Sequence, residues 1–202
     1  RINGRGGKGC LILFASANNG KDYGDGGLPS FAGDPHTLAI GSTGSRDELS
    51  SYSNRGKGLF CVASSSNFPT VTANVPHYYT DENGDPQTMG YAPLTQRNPN
   101  REDDTFITGS FGGTSSATPL VAGLCWLIHA INPHLTAAQI QKIVRQTCDT
   151  LPALPDKNDY PNNDFGEGRI NCLLAVQAAY QSLNIDQEEE ENEDAPTSKF
   201  SI

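Results

Sequence analysis

Apolar residues fall along the first half of the chain in short runs that turn-forming residues end. Residues 11–17 (LILFASA), 37–41 and 59–63 are such runs, and they predict buried strands of a parallel sheet. Residues 64–109 carry Pro, Asn and Asp throughout and predict short strands at most. Buried strands followed by helices predict an α/β fold, whose sites lie beyond the carboxyl ends of the strands.

The second half of the chain has the pattern of helices. A stretch over 115–131 is apolar nearly all round and is expected to be a buried helix, with Pro119 in its first turn, where a missing N–H costs nothing. Thr136 opens a second helix, because Gln139 three residues later completes a capping box. A third helix is expected over about 171–183.

The formal net charge of −9 comes mostly from the C-terminal segment. Residues 186–194 hold seven of the 23 acidic residues, so the remaining 16 (23 − 7) nearly balance the 14 basic ones. We expect one α/β domain over 1–185 and an acidic disordered tail over 186–202. The sequence has no basic stripe, so nucleic acid is not an expected partner. It has no continuous bilayer-spanning run and no recognisable signal peptide, so a membrane is not an expected partner either. We expect a soluble chain and leave its compartment open.

The five cysteines show no metal-binding spacing and predict no disulfide framework. Three of them lie inside apolar runs, where a buried free thiol is the usual state: Cys10, Cys125 and Cys172.

Candidate chemistry lies where the first helix begins, in SFGGTSSATP (110–119). The pair Gly112-Gly113 permits a backbone path that other residues resist. Ser115 then falls at the helix start, where N–H groups lack intrahelical partners and the dipole favours negative charge. Such a serine can attack a carbonyl while its own N–H binds the oxyanion. A helix cap with a tight turn would explain the same residues equally well.

Asn18 favours the catalytic interpretation. It follows a predicted strand and lies next to Ser16 and Ala17, which are too small to block a substrate. An amide there can donate a second hydrogen bond to an oxyanion. Ser115 and Asn18 together would make half of an acyl-transfer site.

These motifs resemble those of the subtilisin-like serine proteases, the subtilase family. GGTSSATP resembles the family's nucleophile motif, Gly-Thr-Ser-x-Ala-x-Pro, with Ser115 as the nucleophile, and FASANNG resembles its oxyanion motif, with Asn18 as the donor. DPHTLAIGSTGSRDELSSYSNRG and FGEGRINCLLAVQAA extend the resemblance over about residues 5–182. The resemblance implies a serine endopeptidase with a parallel-sheet subtilisin-like fold, of which this chain is the C-terminal half only.

The family's catalytic order is Asp, His, Ser, and its first two members lie in the N-terminal half. The chain has four histidines, and none of them has the family's His-Gly-Thr surroundings: they are His36, His77, His129 and His134. We expect activity on a peptide or protein only when a separate N-terminal piece of the same protease, separated by a proteolytic nick, supplies Asp and His. The alternative is a non-catalytic subtilase-like binding module that lacks both, and the intact mass under denaturing conditions would distinguish the two.

GRGGKGCLILFASANNG and GGTSSATPLVAG are most similar to the kexin-like branch, which cuts after basic residues. That branch has a loop that donates an acidic pocket floor and calcium ligands, and KDYGDGG resembles it loosely. The resemblance makes Asp25 a substrate-binding candidate beside Ser16 and Ala17, and Asp22 a metal-binding candidate. Asn54 stands where the branch has a calcium-binding carboxylate. We expect no cofactor for catalysis and leave open a structural calcium ion.

Overall fold

A computed structural model describes residues 4–65, 70–73, 77–80, 82–84, 86–89 and 107–193. The α/β prediction is confirmed, because a parallel sheet is followed by helices: one helix packs directly on the sheet, and the other two pack against that helix. The strands are β1 (Leu13–Ala15), β2 (Leu38–Thr43), β3 (Leu59–Ser64), β4 (Thr70–Ala73), β5 (His77–Thr80), β6 (Pro86–Met89) and β7 (Ile107–Phe111). The helices are α1 (Thr114–Ile131), α2 (Ala137–Thr147) and α3 (Cys172–Glu193).

The central sheet is parallel, with strand order β1-β2-β3. β4 pairs with β7 and β5 with β6, both antiparallel, outside this sheet. Alternate side chains of the central strands face opposite sides, as the pleat requires. One face packs against α1 through Ile40, Ala63, Val121 and Ile128, and the other forms a second core with Ala39, Val62 and Phe165.

The two edges of the central sheet differ. At β3, Val62 N donates to Gly168 O (3.0 Å) and Ile170 N donates to Val62 O (3.1 Å), so residues 168–170 cover that edge. Within the described residues, no strand pairs with the outer edge of β1, and Ile12 just before it is 41% exposed. An unpaired edge is a surface to which another strand can add.

The prediction that α1 is buried all round is wrong for one side of the helix. Val121 and Ile128 are fully buried, but the opposite side exposes Leu120 (49%), Trp126 (66%) and Leu127 (44%). The apolar pattern of a helix does not show which of its sides other parts of the same chain will cover. By length and composition α1 could also cross a membrane, which the sequence pattern did not predict, although its buried side is part of the domain core.

Pro119 lies deeper in α1 than predicted. The helix begins at Thr114, so Pro119 falls in the second turn, where a residue normally donates to the carbonyl four positions earlier. The expectation of a first-turn proline is therefore wrong, and the carbonyl of Ser115 lacks its usual intrahelical donor.

The capping box of α2 is confirmed, since Gln139 N donates to Thr136 Oγ1 (3.2 Å) and Thr136 N donates to Gln139 Oε1 (2.7 Å). α3 begins near its predicted start but continues to Glu193. Residues 186–193 are therefore helical, where the charge pattern predicted disorder. Glutamate is a good helix former, and this propensity favours continuation of a helix that has already begun. Residues 194–202 lie outside the described part of the chain.

All five cysteines are free thiols. Cys125 is buried as predicted, and burial raises its pKa to about 11. Cys10 and Cys172 are exposed, so the expectation of burial is wrong for both. Cys10 precedes β1 and is not part of the sheet, and Cys172 is the first residue of α3. Both cysteines therefore lie at the margin of the packed elements.

Arg169 joins three segments of the fold. Its guanidinium donates to Asp47 Oδ2 (2.6 Å) and to Asp149 Oδ2 (2.8 Å), and Asn171 Nδ2 donates to Asp149 Oδ1 (2.9 Å). Partial burial alone would raise the pKa of Asp149, but the hydrogen bonds from Arg169 and Asn171 outweigh it and hold this pKa below its ordinary value. A depressed pKa means that the stabilisation is complete above the unfolded-state pKa and is lost as the pH falls through the folded-state pKa.

We therefore expect Arg169→Met to lower the free energy of unfolding by about 1–2 kcal/mol at neutral pH, because charge-assisted hydrogen bonds are lost at a partly exposed site. The difference from the parent should begin to shrink below about pH 4, the ordinary pKa of an aspartate, and should disappear only as the pH falls through the lower pKa of Asp149 in the folded chain. Thermal unfolding followed by circular dichroism, at neutral pH and again well below pH 4, tests this. Arg46→Met, which removes an arginine at an exposed position, is the control. A difference that is the same at both pH values would contradict the assignment.

Candidate active site

Asn18 and the start of α1 meet at the carboxyl ends of the central strands. Thr114 N and Thr114 Oγ1 both donate to Asn18 Oδ1, each at 2.9 Å. Asn18 follows β1 and Thr114 is the first residue of α1, so these two bonds join the end of the sheet to the beginning of the helix. The fold thus brings together two sequence motifs that are far apart in the chain.

The two bonds from Thr114 fix the orientation of the Asn18 amide. Both Thr114 groups are donors here, so the atom that faces them is the carbonyl oxygen, and Nδ2 remains as a donor for another group. Gly113 has φ +79°, and a Cβ at this position would lie 3.0 Å from Asn18 Nδ2. The positive φ favours glycine here, and any Cβ would also press against the amide.

A second contact anchors the helix start to β3. Ser65 Oγ donates to Gly113 O at 2.7 Å, and this carbonyl also accepts from Ser116 N at 2.9 Å. Ser65 is buried and directly follows β3. The turn before Ser115 is thus held by Asn18 beyond β1 and by Ser65 beyond β3.

Ser115 is exposed in the first turn of α1, next to these anchors. The N–H of Thr114 is taken by Asn18 and that of Ser116 by Gly113 O. The N–H of Ser115 lies between them, where an α-helix offers no acceptor and the dipole favours negative charge. Ser115 is thus exposed next to an amide whose oxygen Thr114 already holds.

The three histidines whose side chains are described lie away from Ser115. His129 is on α1 itself, about 21 Å along the helix axis at about 1.5 Å per residue, and its Nδ1 lies 2.9 Å from Arg5 Nη2. Burial and the charges of Arg5 and Lys8 lower its pKa. His36 precedes β2 at the opposite end of the sheet, and His134 follows α1. The side chain of His77 lies outside the described part of the structure.

The other predicted substrate-binding residues separate in space. Ala17 is exposed beside Asn18 with φ +78°, whereas Ser16 is 1% exposed and its Oγ is buried, with no hydrogen-bond partner among the described residues. Asp25 lines a cavity with Leu38 and Leu59, which begin β2 and β3. The chain has returned to the amino ends of the strands by this point, so the structure does not bring Asp25 to Ser115.

Asp22, the predicted metal-binding residue, contacts protein groups. Its carboxylate accepts from Gly24 N (2.9 Å) and lies 3.2 Å from Arg55 Nε, which is also 3.4 Å from Asp164. The Gly24 N–H, followed by the Arg55 charge, lowers the pKa of Asp22. Within the part of the chain that the structure describes, no three His, Cys, Asp or Glu side chains form a metal-binding group.

Sequence reasoning missed the residues that hold the site together. Thr114 lies in the nucleophile motif, and its adjacency to a predicted nucleophile was the available signal, but nothing local shows that it bonds to Asn18. Ser65 belongs to a run of serines in which no single one is distinguished. Asn54 was noted only because the kexin-like branch has a calcium-binding carboxylate at the same place.

Several known proteins that are similar to this chain in sequence or structure are proteases. The chain is 36% identical over 180 residues to a calcium-dependent protease of Trichormus variabilis, covering 87% of this chain and 26% of that protein. It is 28% identical over 188 residues to human proprotein convertase subtilisin/kexin type 4, covering 87% and 21%. A lanthipeptide protease structure superposes with a TM-score of 0.60 at 19% identity, covering 83% of this chain and 50% of that one.

The chain thus spans about a quarter of the length of these curated relatives. The likeness to the solved structure, at 19% identity, shows the subtilisin-like fold. The subtilase family model matches residues 1–168, most of the domain described above. This chain belongs to the subtilase family.

Proposed function

We propose that this chain is the part of a serine endopeptidase that carries the nucleophile and the oxyanion hole. The observation that carries the proposal is the pair of hydrogen bonds from Thr114 to Asn18 Oδ1. They leave the amide of Asn18 as a donor beside the helix start from which Ser115 projects. A helix cap alone would not require an amide that is held in one orientation by two bonds.

In the proposed reaction, Ser115 Oγ attacks the carbonyl carbon of the scissile peptide bond and gives its proton to a histidine of another segment. Asn18 Nδ2 and the Ser115 N–H stabilise the oxyanion of the tetrahedral intermediate. When the intermediate collapses, the C–N bond breaks and the histidine returns the proton to the leaving amine. Water then hydrolyses the ester on Ser115, with the same histidine as base.

The histidine and an aspartate would come from the N-terminal part of the same protease, as a separate piece or as one longer polypeptide. Two observations support such a partner. The outer edge of β1 is unpaired within the described residues, and α1 exposes Leu120, Trp126 and Leu127. Apolar surface and an open strand edge together favour a cover that contains both a strand and a helix.

The test is a peptidase assay with and without that part. We expect no hydrolysis above background from the chain alone, because a serine hydroxyl without a base is a weak nucleophile. Refolding with the His-bearing segment should restore hydrolysis of a quenched fluorescent peptide. A segment whose catalytic His is replaced by Ala is the control. Restored hydrolysis with that control, or hydrolysis by the chain alone, would contradict the proposal.

A structural calcium ion does not fit the acidic loop (residues 21–27, KDYGDGG) as the structure shows it. The candidate ligand Asp22 and the neighbouring Asp164 both have a carboxylate oxygen within 3.4 Å of Arg55 Nε. A cation between them would have to displace this guanidinium or lie against its charge. Cleavage after basic residues, as in the kexin-like branch, stays a prediction. Asp25, the residue proposed to line the acidic pocket, does not lie near Ser115, so the structure adds no support for this specificity.

A further inference from the structure

The loop that carries Asn18 lies along residues 52–57 through a continuous set of backbone hydrogen bonds. Asn54 N donates to Ala17 O (3.0 Å), Gly20 N to Tyr52 O (2.7 Å), and Arg55 N to Lys21 O (3.0 Å). This pairing extends from the residue before Asn18 into the acidic loop. The position of Asn18 therefore depends on how residues 52–57 hold the loop.

Asn54 is the buried centre of this contact. It is 1% exposed, and its Oδ1 accepts from Asn19 N (3.1 Å) and from Lys21 N (3.0 Å). One side-chain oxygen thus satisfies two backbone donors that closely follow Asn18. Without an acceptor in this place, two backbone N–H groups of the loop would lose their protein partner, and the loop would be held less firmly.

Arg55 supplies a positive charge at the far end of the loop. Its Nε atom is buried and lies 3.2 Å from Asp22 Oδ2 and 3.4 Å from Asp164 Oδ1. These are ion pairs of partly exposed side chains and contribute less than the bonds to Asn54. Arg55 nevertheless places a cation between two carboxylates, which is the arrangement that a bound calcium ion would provide.

We propose that Asn54 and Arg55 hold the loop that carries Asn18 in place of a calcium ion. Asn54 is the main positioning residue: it orders the backbone at 19–21 and thereby keeps Asn18 against Thr114. Arg55 neutralises Asp22 and Asp164, so that this loop needs no metal ion. Relatives of this chain are named calcium-dependent proteases, but in this chain the loop beside the proposed oxyanion donor is held by protein groups.

Amide hydrogen exchange of the isotope-labelled chain tests this without any assay of proteolysis. We expect the N–H groups of Asn19 and Lys21 to be protected, with the same exchange rates in millimolar calcium and in excess chelator. Asn54→Leu should raise both rates by about fivefold or more, because each N–H loses its acceptor and the loop opens locally more often. Asn54→Asp, measured in chelator, should restore protection since a carboxylate keeps the acceptor.

Asn132→Leu is the matched control, since Asn132 is also fully buried and its Oδ1 accepts a backbone N–H, that of His134, in another part of the fold. This variant should leave the exchange of Asn19 and Lys21 unchanged relative to neighbouring amides. Arg55→Met should speed the exchange of Lys21 and Tyr23, and Arg55→Lys should do so less. Calcium-dependent protection in the parent chain, or parental exchange in Asn54→Leu, would overturn the proposal.

The catalytic consequence rests on the proposed function. In the assembled protease, Asn54→Leu should lower kcat with little change in KM, because Asn18 acts on the transition state and not on the bound substrate. Asn54→Asp should recover most of kcat in chelator. If exchange responds as expected but the assembled protein does not hydrolyse peptides, the proposed function fails and the positioning role of Asn54 stands. If exchange does not respond, the positioning role fails regardless of activity.

Discussion

Replacing Ser115 by alanine is expected to lower the kcat of the assembled protease by roughly a millionfold, to the rate that binding and the oxyanion hole alone support. This magnitude is the one established for subtilisin itself when its nucleophile is removed. The physical reason is that no acyl-enzyme can form without the hydroxyl. Steady-state hydrolysis of a fluorogenic peptide, with enzyme concentration fixed by absorbance, measures the effect.

The variant should fold normally, because Ser115 is exposed and alanine is a good helix former. Ser116→Ala is the neighbouring control: Ser116 is buried and points away from solvent, and its removal should change kcat by only a few-fold. Hydrolysis by Ser115→Ala at a rate near that of the parent would mean that another residue is the nucleophile.

Replacing Asn18 by alanine is expected to lower kcat by about a hundred- to a thousandfold with little change in KM. The magnitude is the established one for this oxyanion position in subtilisin. The structural reason here is that Thr114 holds the amide by its oxygen, which leaves Nδ2 as the donor for the proposed oxyanion. That bond strengthens as charge develops, so its loss appears in kcat.

Asn18→Ala also removes the acceptor of two Thr114 groups, so its thermal unfolding must be measured beside its kinetics. A cost of about 1–3 kcal/mol is expected if these groups find no other partner. Asn19→Ala is the control, since this adjacent exposed asparagine contributes its backbone N–H and not its side chain. A variant at position 18 that folds and turns over at the parental rate would remove Asn18 from the mechanism.

The sequence predicted elements well where one chain segment decides the structure. The runs at 37–41 and 59–63 are β2 and β3, and the Thr136–Gln139 capping box is present because both partners lie within one turn. The sequence predicted less well where segments that are distant in the chain determine the structure. α1 is apolar on both sides, and only tertiary packing shows that the side with Trp126 has no cover among the described residues.

The candidate site divides in the same way. Ser115 and Asn18 were identified by motifs that each occupy a few consecutive residues. Thr114, Ser65 and Asn54 act through hydrogen bonds to partners that are distant in the chain, and no local pattern encodes such pairs. Asp25 was assigned by its place in a loop. The path of that loop along residues 52–57, which carries Asp25 to the other end of the strands, is a tertiary property.

The most direct test of the central claim is covalent labelling by an active-site phosphonate, followed by peptide mass spectrometry. With the His-bearing segment bound, the phosphonate should label Ser115, because only a neighbouring imidazole makes this hydroxyl reactive near neutral pH. After that segment is removed under denaturing conditions and the chain is refolded alone, labelling of Ser115 should nearly disappear. Labelling of a different serine, or equal labelling of Ser115 with and without the segment, would contradict the account.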